Sequence, residues 1–252
     1  MSNKYNQLKT IFLESNTLGR LSIYIEFCDT LALNPNDATI DLGEGSSFWR
    51  KVGYPRKVFQ LEKGINEGKK LYSYLKEEPA DIVTSQVCEF EFLHILAERK
   101  TDLNLTRAGI PYRLRTKKVN RLFLSGLNEY NHNEIVQDLE RFKTCLSNNE
   151  IEYEILEDHN GVFKDIYKVA RVINKHILLG VMDSYIYASA LLAESDELIT
   201  YDRELKDISE NLKESEDEFW KRIREKLLED LRETVPKFRD LDMVTLPLGK
   251  KI

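Results

Sequence analysis

The sequence predicts an α/β fold built on a mostly parallel sheet. Short apolar runs bounded by polar corners recur along the chain, at Thr10–Leu13, Asp81–Thr84, Ile151–Leu156, Leu198–Thr200 and Met243–Pro247. Stretches of helical period lie between them, and alternation of this kind marks strands linked by helices. The 252 residues are 42% apolar, enough for a substantial core, and the length sits at the upper edge of what one core supports. One large domain, or one domain with an insertion, is expected.

Each element has its own local reason. Thr10-Ile11-Phe12-Leu13 suits a buried strand and ends at the polar corner Glu14-Ser15-Asn16. Residues 17–33 read as helix, and 34–47 (NPNDATIDLGEGSS) as a turn-rich loop. From Val58 to Lys76, the apolar residues Leu61, Ile65, Leu71 and Leu75 keep roughly helical spacing. Asp81-Ile82-Val83-Thr84 is a second buried strand, and Thr84-Ser85 offers an N-cap for a helix from Gln86 to Arg99. An amphipathic span covers 128–146, followed by a strand at 151–156 and helices at 161–178 and 182–194. After the strand at Leu198–Thr200, residues 208–233 place Ile208, Leu212, Phe219, Ile223, Leu227 and Leu231 on one face of a single helix. Periodicity leaves open whether that helix packs on the domain or forms a dimer seam.

Composition removes several classes of function. No apolar run approaches the ~20 residues that span a bilayer, and the N-terminus (MSNKYNQLKTIFLESN) is too polar for a signal peptide. Cys28, Cys88 and Cys145 stand far apart with no CxxC, which points to a reducing, cytoplasmic setting rather than a disulfide framework or zinc ribbon. Four scattered histidines share no ligand spacing. Gly43-Glu44-Gly45 lacks the Lys-Ser/Thr of a phosphate loop, and neither Gly-x-Ser-x-Gly nor HExxH occurs. No membrane partner is expected.

Acids fall at the strand ends. Glu14 follows the first run, Glu89 and Glu91 follow the second, and Asp202 follows the strand at Leu198–Thr200. Asp183 opens a small-residue helix, Asp183-Ser184-Tyr185-Ile186-Tyr187-Ala188-Ser189-Ala190. In a parallel α/β sheet the carboxyl ends of the strands share one edge, and ligands bind in the crevice there. Carboxylates gathered in one crevice repel one another unless a divalent cation sits between them. Oxygen ligands suit Mg²⁺ or Mn²⁺, ions that activate water for displacement at phosphorus. Glu14 and Asp202 also suit plain turn or cap positions, and Asp183 suits a helix N-terminus.

At these residues the chain resembles the PIN-domain nucleases. The resemblance rests on Leu13-Glu14-Ser15-Asn16, on Ser85 and Glu91 in SQVCEFEF, on DSYIYASAL from Asp183 to Leu191, and on Ile199-Thr200-Tyr201-Asp202-Arg203. Val244-Thr245-Leu246-Pro247 looks like the family's last strand. The match covers roughly 8–100 and 160–208 plus the tail, and 181–205 carries most of its specificity. It implies a three-layer α/β/α fold over the whole chain, an inserted helical and basic subdomain at about 99–150, and a helical extension at 208–235. It also implies a metal-dependent endonuclease acting on single-stranded RNA, with a water nucleophile and 5′-phosphate products. Glu14, Glu91, Asp183 and Asp202 would hold Mg²⁺ or Mn²⁺, with Glu91 preferred to Glu89 on spacing. Asn16, Ser85 and Thr200 would orient them. Glu14 stands where the family has Asp, one methylene longer. The alternative is therefore a catalytically weak module that binds RNA or a protein. A homodimer partner and a protein inhibitor remain open.

The net charge of −6 hides a local contrast. From Arg99 to Arg121 eight bases oppose the single acid Asp102, with Ile110-Pro111-Tyr112 between them. In a chain that cuts nucleic acid, Arg113, Arg115, Lys117 and Lys118 are candidate phosphate contacts and Tyr112 a candidate base-stacking ring. The other reading is a solvated face.

Overall fold

A computed structural model describes residues 8–36, 58–110, 129–156, 162–238 and 246–252. Strands are β1 (Lys9–Leu13), β2 (Ala80–Thr84), β3 (Tyr153–Ile155), β4 (Glu197–Ile199) and β5 (Leu248–Lys250). Helices are α1 (Ser15–Leu31), α2 (Val58–Glu77), α3 (Gln86–Arg107), α4 (Glu129–Asn148), α5 (Val162–His176), α6 (Val181–Leu192), α7 (Arg203–Glu214) and α8 (Glu218–Thr234). The chain is an α/β protein, and its described residues form one five-stranded sheet, ordered β3-β2-β1-β4-β5 and parallel throughout. It divides into two compact units.

The first unit holds the sheet and draws on residues up to Thr17, on Glu78–Glu89 and on Tyr153 onward. β1 lies between β2 and β4, and Ile11, Phe12 and Leu13 are wholly buried. Strands covered on both faces need continuous apolar runs rather than alternation, and TIFL supplies one. β4 begins with an acid, Glu197, that is buried against Lys9 Nζ at 2.9 Å and Lys250 Nζ at 3.3 Å. Those two cations, from the strands on either side, compensate its charge. The core adds Ile166, Val169 and Ile173 from α5, Leu205 and Leu212 from α7, and Leu227 and Leu231 from α8. α6 is apolar nearly all round and is buried along most of its length, from Ser184 and Ile186 through Leu192. Its serines satisfy themselves within the helix, Ser184 Oγ donating to Gly180 O and Ser189 Oγ to Tyr185 O.

Two expectations need correction here. The single helix expected over 208–233 is two, α7 and α8. Ser215 is extended (φ −63°, ψ 131°), and Asp217 caps α8 by accepting from Phe219 N at 2.8 Å. Arg224 donates to Lys213 O and Ser215 O, taking up carbonyls that the end of α7 leaves unpaired. The apolar stripe runs across the break and so conceals it. Among the described residues the last strand is Leu248–Lys250, and Leu246 and Pro247, the described part of the run expected at Met243–Pro247, precede it. Residues 243–245 lie outside the described ones. Pro247, which has no N–H, precedes the strand, and Leu248 N makes its first bond, to Asp196 O.

The second unit comprises Leu18–Glu77 and Phe90–Glu152, and its described parts are helical apart from short connections. α1 ends with Ala32 at φ 55°, where Leu33 N donates to Cys28 O and Ala32 N to Asp29 O. α3 runs on to Arg107, well past the expected stop near Arg99. Between α3 and α4, Phe92 and Phe142 meet edge to face at 5.1 Å, and Lys100 pairs with Glu134 at 2.7 Å and Asp138 at 3.2 Å. Burial pushes the Cys28 thiol up to about 11.

α2 crosses α1 at Gly68, where a Cβ would stand 2.2 Å from Arg20 O and 2.7 Å from Tyr24 Cβ. A main-chain oxygen cannot step aside as a side-chain tip does. Gly68→Ala is therefore expected to destabilise the protein by about 3 kcal/mol, against the ~1 kcal/mol that alanine normally gains in a helix interior. Gly64→Ala is the control. Its nearest neighbours are side-chain ends, Arg20 Nη1 at 3.1 Å and Ile23 Cδ1 at 3.2 Å, which need give by only a few tenths of an ångström, so it should cost less than Gly68→Ala. Denaturant melts of both variants check the difference.

Candidate functional site

The strand order creates a switch point. From β1 the chain adds β2 and then β3 on one side, and later places β4 and β5 on the other. Connections diverge between β1 and β4, and in open parallel sheets the crevice outside such carboxyl ends receives ligands. Glu14 is the first residue after β1, and Thr200 the first after β4.

Glu14 is only 2% exposed. Its Oε1 accepts from Ser15 Oγ (2.9 Å), Asn16 N (3.1 Å) and Asn16 Nδ2 (2.8 Å). Its Oε2 accepts from Thr200 Oγ1 at the longer distance of 3.3 Å. Burial raises the proton affinity of this carboxyl above the ordinary glutamate value, and the bonds from Asn16 N, Ser15, Thr200 and Asn16 Nδ2 oppose the rise. Thr200 also accepts from Asp202 N at 3.0 Å, so one buried hydroxyl joins the Glu14 carboxylate to the Asp202 main chain. Asp202 is the N-cap of α7, its Oδ1 accepting from Leu205 N at 3.0 Å.

The strand-end carbonyls are closed off from this edge. Thr84 Oγ1 donates to Leu13 O, and Thr17 Oγ1 to Ile199 O, each at 2.8 Å, while Glu14 N reaches Ile199 O at 3.3 Å. Thr17, Thr84 and Thr200 are all fully buried. Thr17, Thr84 and Ser15 were not singled out as site residues in the sequence. For Thr84 and Ser15 the available signal was a hydroxyl at or just past the end of an apolar strand, whereas Thr17, in the first turn of α1, carried none.

The other expected site residues are placed as follows. Asp183 lies in the first turn of α6 and is partly exposed. Its Oδ2 would be 2.6 Å from a Cβ on Gly180. The chain leaving α6 reaches the start of β4 at Asp196, whose N–H donates to Thr10 O and whose carboxylate accepts from Thr10 N. Ser85 is buried and caps α3, its Oγ accepting from Cys88 N at 3.2 Å. Glu89 accepts from Tyr153 Oη at 3.4 Å. Glu91 sits on α3 in the second unit. Tyr112, Arg113, Arg115, Lys117 and Lys118 lie outside the described residues. Among those described, there is no group of three or more His, Cys, Asp or Glu side chains that could hold a metal ion. The donors that do meet at the switch point are hard oxygens of the kind Mg²⁺ and Mn²⁺ prefer, and Glu14 Oε2 keeps acceptor capacity.

Fold and edge together define a parallel α/β protein with a buried, hydrogen-bonded carboxylate at its topological switch point. Comparison with family models, curated proteins and solved structures finds no match for the chain. Among the described residues, no helix is long and apolar enough to cross a membrane.

Proposed function

We propose that the chain is a metal-dependent endonuclease, hydrolysing phosphodiester bonds in single-stranded RNA on a PIN-like three-layer α/β/α fold. One observation carries this reading. The acid after β1 and the Thr-Tyr-Asp segment after β4 meet at the switch point, with Thr200 bonded to Glu14 and to Asp202 N. Ser15, Asn16 and Thr200 fix the Glu14 carboxylate, capping fixes Asp202, and Asp183 would complete an oxygen donor set. Mg²⁺ or Mn²⁺, when bound, supplies an activated water and charge neutralisation at phosphorus. Cleavage of single-stranded RNA that needs either ion and stops on chelation is the expected result. Robust cleavage in EDTA would remove the assignment.

A second reading is favoured by the four donors on Glu14. They satisfy a buried carboxylate without any ion, as suits a module that binds RNA or protein through another surface. Mn²⁺ titration separates the two, since such a module has no need of cation affinity.

On the nuclease reading, and for a module that binds RNA, the basic segment would track the nucleic-acid backbone. Replacing Arg113, Arg115, Lys117 and Lys118 with Gln is expected to weaken RNA binding across sequences. If all four contact phosphates, the salt slope should flatten by up to about two to three units, at about 0.7 per contact. Turnover at saturating substrate should hardly change. An unchanged dissociation constant and salt slope would return the segment to a solvated face.

A further inference from the structure

We infer that Gly180 is a positioning residue for Asp183: its missing side chain leaves the space that the Asp183 carboxylate occupies. The inference rests on the nuclease reading for its function, though not for its geometry.

The backbone gives no other reason for glycine here. Gly180 is the N-cap of α6 at φ −54° and ψ 152°, a conformation open to every residue, and no side-chain cap bond is made. Ser, Thr, Asp or Asn would normally stabilise a helix from that position. What a side chain would meet is Asp183. A Cβ on Gly180 would lie 2.6 Å from Asp183 Oδ2 and 3.6 Å from Cγ. Nonbonded heavy atoms settle at about 3.5 Å or more. The carboxylate would have to turn away, and because it is the end of a side chain it can do so without moving the helix. Ser184 meanwhile holds the Gly180 carbonyl with both its N–H (2.9 Å) and its hydroxyl (2.7 Å), which fixes the main chain on which this contact is built. A displacement of about an ångström in a metal ligand is costly where geometry is demanding. Orienting groups around metal ligands typically contribute about 10–100-fold in affinity.

The experiment measures Mn²⁺ affinity and apo thermal stability for wild type, Gly180→Ala, Gly180→Ser, Asp183→Ala and the two doubles with Asp183→Ala. Gly180→Ser brings the same Cβ together with a capping hydroxyl, so loss of a good cap cannot explain its phenotype. Both Gly180 variants are expected to weaken Mn²⁺ binding about tenfold or more and to lower kcat with little change in KM. In the Asp183→Ala background neither should weaken Mn²⁺ binding further, and the melting-temperature cost of the added Cβ should shrink. Such non-additivity is the signature of action through one contact. Gly180 variants that fold only alongside Asp183→Ala would support the same conclusion. Variants that unfold in both backgrounds, or that bind Mn²⁺ like wild type while Asp183→Ala does not, would overturn it and leave the nuclease reading standing. Wild-type Mn²⁺ affinity in Asp183→Ala would overturn both, and it is distinguishable because the Gly180 variants are not needed to see it.

Discussion

Asp183→Asn and Asp202→Asn are each expected to abolish metal-dependent cleavage while the chain stays folded. On the proposed reading both carboxylates face a phosphodiester that gains charge in the transition state. Losing one preorganised electrostatic partner costs about 10²–10³-fold in kcat, and losing a metal ligand should cost at least as much. Asparagine is the informative replacement because it separates charge from scaffold. At Asp202 the carboxylate caps α7 through Leu205 N, and asparagine caps about as well as aspartate. Asp202→Ala, by contrast, should lose about 1 kcal/mol of stability along with activity. At Asp183 the acid in the first turn of α6 gains only about 0.3–1 kcal/mol from the helix dipole. Melting curves within a few degrees of wild type, beside a flat cleavage trace, are the expected pair. Full activity in Asp183→Asn would sink the metal-nuclease assignment.

Legibility differed from element to element, and the differences have physical causes. β1 and β4 were readable because strands buried on both faces need unbroken apolar runs, and each run is closed by polar residues. The order β3-β2-β1-β4-β5 was not readable, since nothing in Thr10–Leu13 says which strand lies on either side. The break between α7 and α8 was hidden because Leu212 and Leu227 keep one apolar stripe across Ser215–Asp217. At the site, the bonds from Ser15 and Asn16 to Glu14 are local, and a Glu-Ser-Asn corner suggests them. Thr200 is 186 positions away in sequence, and its bond to Glu14 exists only because β4 pairs with β1. Gly180 and Asp183 are three residues apart, yet only the folded helix shows that the Asp183 carboxylate lies where a Cβ on residue 180 would stand.

Glu14→Gln should make the metal-free protein more stable and less active at once. The side chain is buried, and the groups bonded to it are two hydroxyls and two N–H donors, none of them charged. Burial therefore dominates and raises its proton affinity in the fold. A raised folded-state value means that the native state binds the proton more tightly than the unfolded chain does. The stability this provides is complete below the unfolded glutamate pKa, and it is lost as pH rises through the higher folded value. Above that window the metal-free protein carries the cost of a buried charge. Glutamine has nearly the same shape, its oxygen can take the three donors now on Oε1, and its amide can donate to Thr200 Oγ1. It never ionises. The variant should thus melt higher than wild type near neutral pH, and the loss of stability upward from the ordinary glutamate range should flatten. Added Mn²⁺ should reverse the ranking, because an ion that binds only the native wild type stabilises it in proportion to its occupancy. Cleavage should fall strongly in Glu14→Gln. In Glu14→Asp it should persist or rise, since the shorter acid keeps the charge and draws it back by one methylene. Equal cleavage by wild type, Glu14→Gln and Glu14→Ala would make Glu14 a structural carboxylate, and the binding-module reading would then stand in place of the nuclease.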